Sequence, residues 1–192
     1  MKKDIILAGV GGQGILSVAA VIGFAALDKG LYIKQAEVHG MSQRGGAVQS
    51  HLRISDKQIY SDLIPEGSAD MILAVEPMEA LRYLSYLSKD GWVITNTKPF
   101  VNINNYPSTE ELLNEINSLP NSLAIDADTA ARKIKSPKSL NVVMVGAASP
   151  YLEIPYENLE NGIRKLFHKK GEELININLE ALRLGRELAS RN

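Results

Sequence analysis

The chain has 192 residues, 45% of them hydrophobic and 22% charged, which is enough apolar material for a sizeable core and too much for a disordered chain. Its 21 basic and 22 acidic side chains leave a formal net charge of −1, so there is no field for non-specific nucleic-acid binding. Cysteine is absent, which excludes disulfides, cysteine-held zinc or iron–sulfur centres and a thiol nucleophile, and fits a cytoplasmic setting.

Residues 4–10 read as a strand in which Ile5, Ile6 and Leu7 run continuously apolar, as in a parallel strand covered on both faces. A glycine-rich turn follows, then a helix over 14–29 that Gly30 ends, then a second strand over 32–38. The apolar stretch 15–27 is shorter than the ~20 residues a bilayer span needs, so it reads as a buried helix and no membrane contact is expected. Strand, helix, strand is a βαβ unit. Residues 47–54 alternate with period 2, placing Val48, Ser50, Leu52 and Ile54 on one face and Gln49, His51 and Arg53 on the other. Ser55-Asp56-Lys57 looks like a hairpin turn returning through Ile59 and Tyr60. Residues 71–75 are an apolar strand, and Pro77 opens a helix running to about Ser88. Asp90-Gly91 reads as a turn before a strand over 92–95. A helix over 109–118, a strand over 122–125 and a helix capped by Asp126 or Asp128 follow. Asn141 is a candidate cap for NVVMVGAA. Helices over 155–168 and 172–190 complete the chain, with FHKKGEE a solvated junction between them. Ile177, Ala181, Leu184 and Leu188 make a helical stripe in the last. With no linker or repeat, residues 1–192 read as a single domain. The expected fold is α/β in three layers: a mostly parallel sheet flanked by helices, a Rossmann-like opening βαβ and an antiparallel hairpin.

GVGGQG matches G-x-G-x-x-G, with Gly9, Gly11 and Gly14 at the marked positions, after a strand and before a helix. A helix N-terminus there suits a phosphate or carboxylate, so Gly11, Gly12, Gln13 and Gly14 are candidate anion-binding residues. Glu37, 23 residues after Gly14, is only loosely placed for the ribose-binding acid of a dinucleotide site. A tight turn with no ligand, a stand-alone dinucleotide protein and an anion site shared with another chain all stay open.

EVHGMSQRGGAVQSHLRI, residues 37–54, holds two of the three histidines, two Arg, two Gln, three Gly and a Glu. If the second and third strands are neighbours, Gln35, Glu37 and His39 with Gln49, His51 and Arg53 form a polar face beside a loop carrying Ser42, Gln43 and Arg44. That face is either a solvated sheet edge or a surface buried against a partner through Glu37, His39, Met41, Gln43, Arg44 and His51. Arg44 suits bidentate recognition of carboxylate or phosphate. Two histidines without cysteine or a carboxylate cluster do not make a metal site, and no G-x-S-x-G elbow marks a serine nucleophile.

GVGGQG, EVHGMSQRGGAVQSHLRI, LIPEGSADMILAVEPMEALRYL, NTKP and NVVMVGAAS, in that order, resemble the small subunit of the 2-oxoacid:ferredoxin oxidoreductases, in particular the indolepyruvate type, over residues 5–186. The resemblance implies oxidative decarboxylation of a 2-oxoacid, here an arylpyruvate, to an acyl-coenzyme A, with electrons passed to ferredoxin. It implies no cofactor held by this chain alone. Thiamine diphosphate, Mg and 4Fe-4S clusters are expected in a large partner subunit, with coenzyme A as co-substrate. His39 and Arg44 become the candidate catalytic residues, and Gly11, Gly12, Gln13, Gly14 and Arg44 the candidate contacts to coenzyme A. The pyruvate and 2-oxoglutarate enzymes have similar gamma subunits, and substrate choice is expected to lie in the partner.

Overall fold

A computed structural model describes residues 1–39 and 45–191. Six strands form one sheet in the order β2-β3-β1-β4-β5-β6. They are β1 (Lys2–Val10), β2 (Tyr32–His39), β3 (Ala47–Ser55), β4 (Ala69–Ala74), β5 (Leu87–Asn96) and β6 (Ser122–Ile125). Only β3 runs against the others: it pairs antiparallel with both β1 and β2, while β1, β4, β5 and β6 pair parallel. The opening βαβ unit is therefore split. β1 and β2 point the same way, but β3 is inserted between them, and the antiparallel hairpin is β2–β3 rather than a return after Ser55.

Alternation of the strands sorts side chains into two apolar layers. Ile5, Leu7, Leu52, Ile54, Met71 and Leu73 face helices α1 (Ile15–Asp28), α4 (Ala127–Lys133), α5 (Leu140–Ala148), α6 (Tyr156–Phe167) and α7 (Glu172–Ala189). Ile6, Ala8, Ile72, Ala74 and Val93 face α2 (Pro77–Arg82) and α3 (Thr109–Asn117). After β3 the chain crosses this second face without a return strand. Arg53 holds it by donating to the Ser61 and Leu63 carbonyls, both at 3.0 Å, so these backbone groups have partners without a ladder.

Local chemistry sets the helix starts. Ser108 and Glu111 form a reciprocal capping box at α3, and Asp126 accepts from Thr129 N–H at α4. Two expected elements differ. The helix from Pro77 stops at Arg82, and after a 3-10 turn β5 already begins at Leu87. Asp90-Gly91 lies inside that strand, whose pairing with β4 shifts register between Ala69 and Met71. A side chain at Gly91 would meet the Ala69 carbonyl at 2.8 Å. The glycine that reads as a turn serves close approach of two strands.

α7 presents Ile175, Asn178, Ala181, Leu182, Gly185 and Ala189 to the core. Of the expected stripe, Ala181 is buried and Leu188 packs partly buried against the core, while Ile177 and Leu184 are only half-buried, because α7 makes its closest approach through its smallest residues. A Cβ added at Gly185 would run into the carbonyl oxygen of Val143, and one at Gly146 into that of Leu182. The crossing of α5 and α7 is thus backbone against backbone. Gly185→Ala is expected to lower the urea midpoint of unfolding by the equivalent of about 1–3 kcal/mol, because neither helix has a side chain that can yield.

Candidate functional site

The carboxyl ends of β1 and β4 are adjacent, yet the helices that follow them leave to opposite faces, α1 toward β2 and α2 toward β5. That divergence is a topological switch point, the place where open α/β sheets bind ligands. Three loops meet there.

The first is the glycine-rich turn. At Gly9 a Cβ would lie 2.5 Å from Cγ2 of Val75, the residue just past the neighbouring β4. Gly14 enters α1 at φ 82°, and a Cβ there would lie 2.6 Å from Asn141 Nδ2. Asn141 does not cap α5. It sits one residue inside, its amide donating to the Gly14 carbonyl at 3.2 Å. Gln13 turns its amide oxygen back on the strand, Oε1 accepting Val10 N–H at 2.7 Å, while the residue still borders a groove beside α1. α1 itself has no side-chain cap. Beside its first turn lies a groove of about 610 Å³ that the start of α5 also borders, lined in part by Gly12, Ser17, Lys138, Asn141, Lys170 and Asn178.

The second loop joins β2 to β3. Met41, Gln43 and Arg44 lie outside the described residues, and His39 is the last residue of β2. The base of this loop is tied to the glycine turn: Gly11 N–H donates to the Gly46 carbonyl at 2.8 Å, and Gly45 N–H to the Gly11 carbonyl at 3.4 Å. A main-chain donor that a dinucleotide phosphate would need is thereby spent inside the chain.

The third loop, residues 97–108, leaves β5 and doubles back over β4 and β1. Asn102 Nδ2 reaches the Gly45 carbonyl at 2.7 Å. The return is pinned at Glu76, the fully buried N-cap of α2, which accepts from Met78 N–H, Glu79 N–H and the Tyr106 hydroxyl, the last at 2.7 Å. Burial raises the Glu76 pKa, and the Tyr106 and backbone hydrogen bonds oppose it. Asn96, also buried, donates to the Val75 and Lys98 carbonyls and to Asp128, and accepts from Ala127 N–H, tying the loop's root to β4 and α4.

The expected polar face does not form. β2 and β3 are neighbours, but Glu37 pairs with Ser50 and Gln35 with Leu52, so Gln35 and Glu37 lie on the α1 side of the sheet. Gln49, His51 and Arg53 lie on the other. Period 2 gave each strand's two faces but not which matched which, and the register decided that. On the α1 side, Gln35 donates to Ser50 Oγ at 3.2 Å. Glu37 Oε2 is buried with no hydrogen-bond partner among the described residues. On the other side, Arg53 grips the buried Asp4 through two bonds of 2.8 and 3.0 Å.

His51, expected at a partner surface, is 3% exposed. Its Nδ1 accepts Ile64 N–H at 3.0 Å, Nε2 lies 3.0 Å from the Gln49 amide, and Tyr86 stacks edge-on. It holds the crossing segment down. Sequence reasoning missed Glu76, Asn96, Asn102 and Tyr106. The 97–108 stretch had one signal: a loop of 12 residues without regular structure needs a reason to be ordered.

Large apolar side chains are exposed on the elements that carry these loops: Leu16 on α1, Val38 on β2, and Phe100, Val101 and Ile103 on the third loop. Among the described residues no group of three or more His, Asp or Glu is placed to hold a metal, and no helix is long and apolar enough to cross a membrane.

Comparison with known proteins agrees with this architecture. A profile of the pyruvate ferredoxin/flavodoxin oxidoreductase family matches residues 4–188. The indolepyruvate oxidoreductase subunit IorB of Archaeoglobus fulgidus is 39% identical over 96% of this chain and 94% of its own. Among solved structures, the 2-oxoglutarate:ferredoxin oxidoreductase of Magnetococcus marinus, with 2-oxoglutarate, coenzyme A and succinyl-CoA bound, superposes with a TM-score of 0.78 at 24% identity. It covers all of this chain and 31% of the larger one. Pyruvate oxidoreductase subunit PORC of Thermotoga maritima superposes at 0.73 and 24% identity, over 97% of this chain and 96% of that one.

Two outcomes follow from the geometry. Tyr106→Phe removes a bond to a buried carboxyl group and is expected to cost about 1–3 kcal/mol in chemical denaturation. For His51, burial and then Arg53 hold the pKa below the usual histidine value, against the pull of Asp62. A depressed histidine contributes stability that is present above its unfolded pKa of ~6.5 and lost as pH falls through the folded value. The stability advantage of wild type over His51→Leu should therefore shrink between pH 7 and pH 5; an advantage that grows on acidification contradicts the assignment.

Proposed function

The chain belongs to the pyruvate ferredoxin/flavodoxin oxidoreductase family and is the small subunit of a 2-oxoacid:ferredoxin oxidoreductase, and we propose that the enzyme it completes acts on arylpyruvates such as indolepyruvate. The observation that carries the substrate class is the near full-length identity to an indolepyruvate oxidoreductase subunit. The division of labour follows from what this chain lacks. Without cysteine it has no thiolates for a cluster, and the described residues form no metal-binding group for Mg and a diphosphate. We assign thiamine diphosphate, Mg and the 4Fe-4S clusters to a large partner subunit, and delivery of electrons to ferredoxin to the assembled, cytoplasmic complex. When bound there, thiamine diphosphate supplies the decarboxylation chemistry.

Its contribution in this reading, as one domain over residues 1–192, is a wall. Exposed Leu16, Val38, Phe100, Val101 and Ile103 supply apolar area for docking against the large subunit. The uncapped N-terminus of α1 with Gly12, Lys138 and Lys170 supplies positive potential suited to the phosphates of coenzyme A, and Arg44 is assigned as a further, bidentate contact. The Gly11 N–H and the Gln13 amide oxygen are spent in internal bonds, which leaves the Gln13 amide NH2 as the donor it can offer there. A stand-alone dinucleotide protein is disfavoured by the same bonds and by the loop lying over the switch point.

The test is co-expression with the large subunit, read by viologen reduction with indolepyruvate, phenylpyruvate, pyruvate and 2-oxoglutarate. Turnover is expected to require both chains and coenzyme A, and to favour the aryl acids. A complex active only with pyruvate or 2-oxoglutarate overturns the substrate class. Arg44→Ala is expected to raise the apparent KM for coenzyme A roughly tenfold or more, the loss of a charge-assisted hydrogen bond, with the complex still assembling. Failure to assemble with unchanged KM in residual complex makes Arg44 a docking residue instead.

A further inference from the structure

We infer that Glu76 is a positioning residue for assembly: through the Tyr106 hydroxyl it latches residues 97–108 in the posture that presents Phe100, Val101 and Ile103 to the large subunit. The inference rests on the reading of those three side chains as docking area.

The latch begins with an atypical helix cap. Ser, Thr, Asp and Asn are the residues preferred at that position, where a short side chain suffices. Glu76 is longer than Asp by a methylene and does two things at once. It accepts the Met78 and Glu79 N–H groups at 2.9 and 3.2 Å, which caps α2, and it accepts the Tyr106 hydroxyl at 2.7 Å, 30 positions away in the chain. The carboxyl group is fully buried, so water does not readily replace a bond to it. The other end of the loop is fixed as well. Thr97 N–H donates to the Ile125 carbonyl at 2.9 Å, and buried Asn96 donates to Asp128 at 2.9 Å.

Between these anchors the chain is mostly exposed and carries no charge. Pro99 to Thr109 holds neither an acid nor a base, in a protein of which 22% is charged. Val101 is 67% exposed, Ile103 43% and Phe100 42%. Asn102 adds one bond across the span, to the Gly45 carbonyl at 2.7 Å. A surface of this kind fits an apolar pocket, and its affinity for that pocket is insensitive to salt. The occupant is the large subunit, because the chain is a subunit of a larger enzyme and these side chains stay in water until that enzyme assembles. Held at both ends, the loop meets its partner already ordered. Without the Tyr106 bond the partner must order it, and binding weakens by that entropy.

The experiment measures the affinity of variants for the large subunit, with chymotrypsin cleavage after Phe100 reporting loop order in the isolated chain. Cleavage after Tyr60, which is 84% exposed, is the internal reference. Tyr106→Phe removes the hydroxyl alone. Glu76→Asp keeps a capping carboxylate for α2 but withdraws it from Tyr106. Gly185→Ala, in the α5–α7 crossing, controls for loss of stability in general. Both latch variants are expected to be cut after Phe100 severalfold faster relative to Tyr60, and to raise Kd for the large subunit about tenfold at low and high salt alike. Gly185→Ala should do neither. Val101→Asp tests the docking reading underneath and should raise Kd more than either latch variant. If Val101→Asp leaves Kd unchanged, that reading fails and the inference with it. If Val101→Asp weakens binding but the latch variants do not, or if Gly185→Ala weakens it as much as they do, the latch alone is overturned. Weaker binding with unchanged cleavage after Phe100 overturns it too.

Discussion

Nine consecutive pairings join β1 to β3, from Lys2 opposite Ser55 to Val10 opposite Ala47, and this register is the constraint from which the site follows. It brings the residue before the glycine turn level with the residue after Gly45-Gly46. The two glycine-rich segments are 34 positions apart in sequence, counting from Gly11 to Gly45, yet must meet at the sheet edge. Slip the register by one and every side chain of β3 changes face, with Leu52 and Ile54 leaving the core and Arg53 entering it. The buried Asp4–Arg53 pair makes such a slip costly as well, since each charge needs the other.

The same register changes the meaning of the glycine motif. In a dinucleotide-binding protein the turn presents free N–H groups to a pyrophosphate, over an open crevice between diverging strands. Here one such group is bonded to Gly46, a side chain is folded back onto Val10, and a loop from β5 lies across the crevice. The turn keeps the geometry needed for a tight entry into α1 while its main-chain donor is spent inside the chain. Leu16, Val38 and Phe100 are costly in water for an isolated chain and useful for one that completes a larger enzyme.

Much of the fold was legible in the sequence. Buried strands such as Ile5–Ile6–Leu7 announce themselves by continuous apolar residues, and Ser108 with Glu111, Asp126 and Pro77 mark helix starts by local chemistry. What escaped was set by non-local partners. The insertion of β3 between β1 and β2 depends on pairing energies spread over two strands. The early end of the helix after Pro77 depends on β5 finding β4. At the site, residues 37–54 stood out by their polarity, but His51 turned inward because Ile64 N–H and Tyr86 hold it there, and no periodicity encodes that. Asn102 and Tyr106 look like ordinary loop residues until their acceptors, Gly45 and Glu76, are known.

The crossing of α5 and α7 has a consequence for how this chain can vary. Gly146 and Gly185 face main-chain carbonyl oxygens, not side chains. A clash with a side chain can be relieved by shrinking the neighbour, so such positions drift in pairs. A carbonyl oxygen is the same whatever residue carries it, and no second substitution removes it. These two positions have no compensating partner anywhere in the sequence. They are closed to change unless the helices themselves move apart, which fixes the spacing of that layer more firmly than any of the larger residues packed around it.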